Sequence, residues 1–354
     1  MKRGPAWRIA GTLLGHGLLA AGFALLCQRS LFLRRDAATA CFAGLDVLTL
    51  VSCLNDLRRR RKGKRPGLLR DLLALALVLP MVMGAILYES FFWRRVQTTA
   101  PLAEYAGLME ESRAFSSNRG QPLCGYFYWV EGGEKKGVVV LAHGNGVGHR
   151  GYMSVIDFFA QKGFYVFAYD ATGYDASGGR TRGGLPQGIV DLDRAISCVE
   201  ADSRTKDLPI CLFGHSWGAY CAAAALKLHP EVRAVASLAG FNASADMIEA
   251  QGRGLLGPVI EPMLPYISLY EALKFGRYAD LTAMDGFAAS QARVVIVHSA
   301  DDAVVPPRYG YDRYFTAYEG DPRFTFIHCE DRGHSGLFSG GNEAVILNAF
   351  AEPY

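Results

Sequence analysis

The sequence holds few of the patterns that bind metals or phosphates. It has eight cysteines in 354 residues, and no two of them stand as C-x-x-C. Cys27, Cys41 and Cys53 fall in apolar N-terminal stretches; Cys124, Cys198, Cys211, Cys221 and Cys329 are scattered, mostly through strand-like and helix-like runs. Such scatter argues against a zinc site or a disulfide framework and leaves buried thiols that behave as small hydrophobes. The glycine-rich stretch G-N-G-V-G-H from Gly144 matches neither G-x-x-x-x-G-K-[ST] nor G-x-G-x-x-G, so it does not read as a phosphate cradle. Net charge is only +3, which gives no reason to expect nucleic acid or another polyanion as partner. Internal repeats and low-complexity tracts are also lacking.

Long apolar runs are present, and they crowd into the first hundred residues. Ile9 to Cys27 and Leu72 to Tyr88 contain no charged residue, and Ala37 to Leu54 contains only Asp46. A bilayer core needs roughly 20 apolar residues to span, so residues 1–99 are expected to form a multi-pass anchor of two or three helices, about 9–27, 37–54 and 72–92. Met1 to Arg8 with the run after it resembles a signal peptide, but further apolar sequence follows instead of a cleavage site and a soluble chain. Between the second and third runs, Asn55 to Asp71 carries eight Lys/Arg residues, including Arg58 to Lys62 in succession. Wedged between apolar segments, this run reads as a cytoplasmic membrane flank, not a nucleic-acid patch. A third helix starting in the cytoplasm delivers the rest of the chain to the non-cytoplasmic side. Arg29, Arg34 and Arg35 would then also lie outside, against the charge rule.

From about residue 100 strand-like runs alternate with helical patterns. Pro101 to Ser112 reads as a short amphipathic helix. Leu123 to Val130, Gly137 to Ala142, Phe164 to Tyr169, Ile210 to Phe213, Val232 to Leu238, Val294 to His298 and Phe324 to His328 read as strands. Helical patterns fall at Tyr152 to Gln161, Gln187 to Ala201, Ala219 to Leu228, Arg308 to Tyr318 and Asn342 to Phe350. This spacing predicts a mostly parallel α/β sheet. The interval 241–290 breaks the alternation. With three prolines and many Leu, Met and Ile residues, it reads as a helical lid over the site or as a packing insertion.

Gly214-His215-Ser216-Trp217-Gly218 follows a short strand and opens a helix, the context in which G-x-S-x-G forms a nucleophile elbow. Ser216 needs a base, and His334, in a loop after the last strand pattern, is the best placed of eight histidines. His215 is expected to point elsewhere, and His298 to belong to the core. His149 could line a pocket or simply sit exposed in its loop. An acid belongs after the strand between them, where Asp301 and Asp302 both stand. His143-Gly144-Asn145-Gly146 follows the V-V-V-L-A run directly, which makes the backbone N–H groups of Asn145 and Trp217 the expected oxyanion donors.

These residues, with the Tyr169-Asp170-Ala171-Thr172-Gly173 turn and Ser177-Gly178, resemble the α/β-hydrolase superfamily, in particular its serine-aminopeptidase and monoacylglycerol-lipase-like branch. The resemblance covers about Arg113 to Pro353. It implies a mostly parallel eight-stranded sheet flanked by helices with a small helical lid, in a domain of residues 100–354. Its D-x-x-V-P spacing selects Asp302 over Asp301 as the acid that orients His334. The turn Gly173-Tyr174-Asp175-Ala176-Ser177 departs from the commoner G-x-G-x-S form. The expected activity is cleavage of a small-molecule or lipid ester through an acyl-serine, with no metal or organic cofactor. Rival readings are a peptidase of short unblocked peptides, an acyltransferase, and a non-catalytic membrane protein that keeps the hydrolase shell.

Overall fold

The computed structural model describes residues 105–351 continuously, and before them only positions 17, 51, 54, 55, 57–59, 62, 84, 85, 88, 89 and 91–93. Among the described residues no helix is long and apolar enough to cross a membrane. Most of each of the runs 9–27, 37–54 and 72–92 lies outside the described residues. The chain divides into two compact units. Phe92–Leu255 with Arg277–Tyr354 forms the larger; the part before Phe92 groups with Leu256–Gly276 in the smaller.

The larger unit is built on one eight-stranded sheet: β1 (Leu108–Ser116), β2 (Pro122–Val130), β3 (Val138–Ala142), β4 (Tyr165–Asp170), β5 (Ile210–His215), β6 (Ala234–Leu238), β7 (Arg293–Ser299) and β8 (Phe324–Cys329). Their order is β1-β2-β4-β3-β5-β6-β7-β8. β1 and β2 pair antiparallel and β2 joins β4 antiparallel; every other pairing is parallel. The strands V-V-V-L-A and A-V-A-S-L are buried at every position. That is the pattern of parallel strands covered on both faces. Helices α1 (Met153–Gln161) and α8 (Asn342–Ala351) share one core cluster with Val139, Leu141, Phe213 and Val297, and the rings of Phe159 and Phe350 stack 5.4 Å apart. Helices α2 (Leu185–Ala201) and α3 (Trp217–Ala225) pack against each other and against the central strands.

The expected helix at Pro101 to Ser112 is not formed over its described part. Residues 108–116 are strand β1 instead, paired with β2 from Leu108↔Val130 to Ser116↔Pro122. The segment L-M-E-E-S-R-A-F-S suits either period, because it carries few apolar residues and no turn signal. Its backbone is claimed by the otherwise open edge of β2, a long-range partner that local sequence does not reveal.

The interval 241–290 is helical throughout most of its length: α4 (Ser244–Leu256), a 3₁₀ segment (Gly257–Met263), α5 (Leu264–Phe275) and α6 (Ala283–Ala289). Thr282 closes a capping box with Asp285, and α6 lies against α3 in the body of the domain. α4 is tied to the helix α7 (Tyr311–Tyr318) by Arg313, which donates 2.6 Å to Asp246. Within the smaller unit, α5 is bound to the chain at 84–89 by polar pairs. Tyr88 donates 2.6 Å to Glu271, Tyr270 donates 2.7 Å to Glu89, and Lys274, fully buried, donates to Glu89.

Candidate active site

Parallel strands end on the same side of a sheet, so the loops after β3, β5, β7 and β8 emerge together. Ala142 and Gly214 are register partners, which sets the His143–Gly146 loop beside the turn at Ser216. Ligands of open α/β sheets gather at this edge, where the strand order reverses.

Ser216 sits between β5 and α3 with φ 56° and ψ −118°. A non-glycine residue there is strained, at about 1–3 kcal/mol. The flanking glycines allow it. A Cβ on Gly214 would lie 2.3 Å from the Gly218 carbonyl oxygen, and one on Gly218 would lie 2.0 Å from that of Ala142. The turn is pinned further by Ser216 N–H, which donates 2.8 Å to Leu238 O. Trp217 is the first residue of α3, so its N–H has no partner within the helix. Its indole donates 2.8 Å to Leu185 O, holding the ring under the start of α2.

His334 stands with Nε2 2.9 Å from Ser216 Oγ and Nδ1 2.8 Å from Asp302 Oδ2. Asp302 is buried. Burial opposes its charge, but hydrogen bonds from His298 and His334 and from the Val305 N–H outweigh it and hold the carboxyl well below the usual carboxylate range. Val304 and Val305 N–H both donate 2.9 Å to its Oδ1. Asp301 faces another way: it accepts 2.6 Å from Ser299 Oγ and 2.8 Å from Gly333 N–H, and so shapes the His334 loop without touching the imidazole.

Several contributors escape a reading of motifs. His298 is buried in the core as expected, but it also belongs to the site: Nε2 lies 2.8 Å from Val305 O and 3.4 Å from Asp302 Oδ2. His215 does not point away. Gly144 N–H donates 2.9 Å to the Tyr152 hydroxyl, which donates 2.8 Å to His215 Nδ1, and His215 Nε2–H donates 2.8 Å to His334 O. A hydrogen-bonded strut thus joins the loop after β3 to the loop that carries His334. Burial pushes His215 down to about 4, so it stays neutral and keeps the tautomer this strut needs. The only sequence signal for it was its place inside the elbow itself. His143 is fixed likewise: Ala171 N–H donates 3.0 Å to Nε2, and Nδ1 lies 2.9 Å from Gly144 O. His149 is not exposed; it is buried against Asp170 and Tyr128. Ser177 bonds Asp170 O at 2.5 Å and receives Cys124 N–H at 2.9 Å, which accounts for its part in the turn.

A histidine bridging a hydroxyl on a strained elbow and a buried carboxylate, at the ends of a mostly parallel eight-stranded sheet, is the arrangement of the α/β-hydrolase fold. Residues 133–280, less than half of the chain, match the family model described as serine aminopeptidase, S33. Among solved structures the chain is similar to an esterase of Pyrococcus furiosus, at 15% identity over 73% of this chain and 95% of that one with a TM-score of 0.56. It is also similar to an acetyl xylan esterase of Paenibacillus sp. R4 (19%, 78% and 94%, 0.55) and to acetyl xylan esterase 1 of a Thermoanaerobacterium species (16%, 77% and 92%, 0.54). At such identities the likeness is one of fold. Among curated proteins none matches.

Proposed function

We propose that the protein is a membrane-anchored serine hydrolase that cleaves a carboxylic ester, with Ser216 as nucleophile, His334 as general base and Asp302 as its orienting acid. The observation that carries this reading is the unbroken relay from Asp302 Oδ2 through His334 to Ser216 Oγ, at 2.8 and 2.9 Å. Ser216 Oγ adds to the ester carbonyl while its proton passes to His334 Nε2. The imidazolium is stabilised by the Asp302 carboxylate, which stays ionised. The developing oxyanion falls to the N–H groups of Asn145 and Trp217, each worth roughly 3 kcal/mol of barrier in comparable sites. His334 then gives its proton to the leaving alkoxide, which departs as the alcohol. Water, activated by the same imidazole, releases the acid from Ser216.

The substrate proposed is an amphipathic ester. Leu255, Val259 and Leu269, in the stretch from the end of α4 through α5, expose half or more of their surface, an apolar character suited to an acyl chain. A peptidase is the second reading, favoured by the description of the matching family. It would need a carboxylate free to take an amino terminus. Of the three glutamates in 241–290, Glu249, Glu261 and Glu271, Glu271 is buried and accepts from Tyr88, and Glu249 is paired with Arg253 at 3.0 Å. Anchoring and topology are proposed from the apolar runs and the basic loop at 55–71, with the catalytic domain on the non-cytoplasmic side.

A fluorophosphonate probe should label Ser216 alone, and p-nitrophenyl esters should be turned over. Absence of both in the folded protein would leave the non-catalytic reading. Comparing a medium-chain monoacylglycerol, an acetate ester and a proline-amide tests the substrate class. Faster cleavage of the amide than of both esters would move the assignment to the peptidase. An alkaline phosphatase fused after Tyr354 should be active if the domain lies outside.

A further inference from the structure

We infer that Arg182 is a positioning residue for the oxyanion loop, and that Phe92 and Trp93, at the end of the third apolar run, form its mounting. The inference rests on the ester-hydrolase reading above and concerns residues that no motif selects.

Arg182 lies in the segment between β4 and α2 and is almost completely buried. A guanidinium taken out of water needs acceptors, and its planar fork fixes where they must stand. On one side it is tied to the chain that enters the domain. Thr181 and Trp93 form an antiparallel bridge, Arg182 N–H donates 2.7 Å to Phe92 O, and its Nε donates 2.9 Å to Trp93 O. The Phe92 ring, itself buried, lies 5.6 Å under the guanidinium. On the other side Nη1 donates to Asn145 Oδ1 and, at 3.2 Å, to the Tyr174 hydroxyl, which donates 2.7 Å to the same Asn145 oxygen.

Asn145 therefore has its amide oxygen held from two directions, although it stands exposed between two glycines in a loop with little of its own to fix it. Its backbone N–H is the group that must aim at the oxyanion, and a donor aimed slightly wrong loses much of its value. Tyr174 packs in turn between His143 and Trp217, with ring centroids 4.6 and 6.0 Å away. The orientation of the oxyanion loop is thus set through Arg182 by two residues more than fifty positions earlier in the chain. The segment leaving the third apolar run is a part of the active site, not only its tether.

The test uses purified full-length protein and a p-nitrophenyl ester. Arg182→Met should lower kcat about 10- to 100-fold with KM changed less than about threefold, the mark of a contact that matters in the transition state. Affinity for a trifluoromethyl ketone, whose hemiketal oxyanion on Ser216 occupies the same place, should fall in parallel with kcat/KM. Arg182→Lys should recover part of both losses. Phe92→Ala and Tyr174→Phe should show the same pattern at smaller size. A kcat within twofold of the parent, a rise in KM alone, or an unchanged ketone affinity beside a reduced kcat would each overturn the inference. Should Arg182→Met fail to fold, Phe92→Ala and Tyr174→Phe decide it: parental kcat and ketone affinity in both would overturn it. No turnover or Ser216 labelling in the parent protein would instead count against the hydrolase reading.

Discussion

In the turn before α1, His149 lies with Nδ1 2.7 Å from Asp170, the last residue of β4, and Nε2 3.0 Å from the Tyr128 hydroxyl; after β8, His334 lies with Nδ1 2.8 Å from Asp302, which follows β7, and Nε2 2.9 Å from the Ser216 hydroxyl. Distances and partners are nearly the same, and both carboxyls are held below their usual range although burial opposes it. Two features separate them. The first relay is sealed: the His149 side chain is 2% exposed, against 17% for His334, and the Tyr126 ring stacks 4.3 Å over it. The second difference is the hydroxyl. Tyr128 is a phenol on an ordinary strand, and burial pushes its pKa far up; Ser216 is an alcohol thrust forward on a strained turn with helix N–H groups beside it. A hydroxyl–histidine–carboxylate line is therefore not by itself a catalytic device. Access and backbone strain, together with the oxyanion donors proposed above, distinguish the line at Ser216 from the one that braces β2 against β4.

The comparison breaks first at the hydroxyl. Ser216→Ala should lower kcat on the order of 10⁴- to 10⁶-fold and abolish fluorophosphonate labelling, with the thermal midpoint little changed, because alanine keeps the Cβ and the same backbone conformation. Residual labelling at another serine would show that the nucleophile lies elsewhere.

The carboxylates should separate next. Asp302→Asn should cost roughly 10⁴-fold in kcat by mis-setting the imidazole tautomer. Asp170→Asn should leave kcat within a few-fold and lower unfolding free energy by about 1–3 kcal/mol, because a buried charge-assisted bond is lost. Asp301→Asn, whose partners are Ser299 and Gly333, should cost less than tenfold. Steady-state kinetics and urea melts on the three variants test this together. An Asp170 variant as slow as the Asp302 variant would erase the distinction.

These contrasts also show why the sequence disclosed some parts and not others. The elbow was legible because the steric demand on Gly214 and Gly218 is local: each clash a side chain would cause is with backbone brought close by the same turn or by neighbouring β3. The buried strands were legible because the apolar runs V-V-V-L-A and V-V-I-V cannot face water on either side. The order serine, acid, histidine was expected from the elbow pattern, and parallel strands bring the three loops to one edge. β1 was not legible, since only its partner strand decides its conformation. Nor were Tyr152, His298 and Arg182, whose roles consist of contacts to atoms supplied by other loops; Arg182 reaches back 89 residues to Trp93. His149 was misjudged for the same reason, because the Asp170 and Tyr128 that bury it lie in different strands.

The strut through His215 gives the two loops of the reactive relay a pH dependence. Its folded value, about 4, lies below the ordinary 6.5, so the unfolded chain takes up a proton first as pH falls. The stability it contributes is complete above about pH 6.5 and is lost as pH drops through that interval towards 4, by at most about 3 kcal/mol. His143, also lowered by burial, adds loss of the same sign. Urea midpoints between pH 7 and 4 should therefore fall more steeply in the parent protein than in His215→Asn, and the difference isolates His215 from His143. Equal slopes would mean that the strut carries no proton linkage.

The smallest expected effect returns to the sealed relay. Tyr128→Phe removes the hydroxyl that meets His149 Nε2 and changes nothing at Ser216. The ring stays, so β2 keeps its packing in the cluster with Val139, Val166 and Phe159. His149 keeps its bond to Asp170, and the stacked Tyr126 ring still covers it. One buried acceptor is left without its donor, which costs about 1–3 kcal/mol unless the imidazole shifts or water enters. Because His149 and Tyr152 bound the same 3₁₀ turn, a shift of the imidazole would reach the strut through Gly144 and His215. The expected result is a thermal midpoint lowered by a few degrees, with kcat and KM each within twofold. A tenfold loss of kcat in a protein that still melts cooperatively would mean that the two relays are coupled, and that the sealed pair takes part in setting the reactive one.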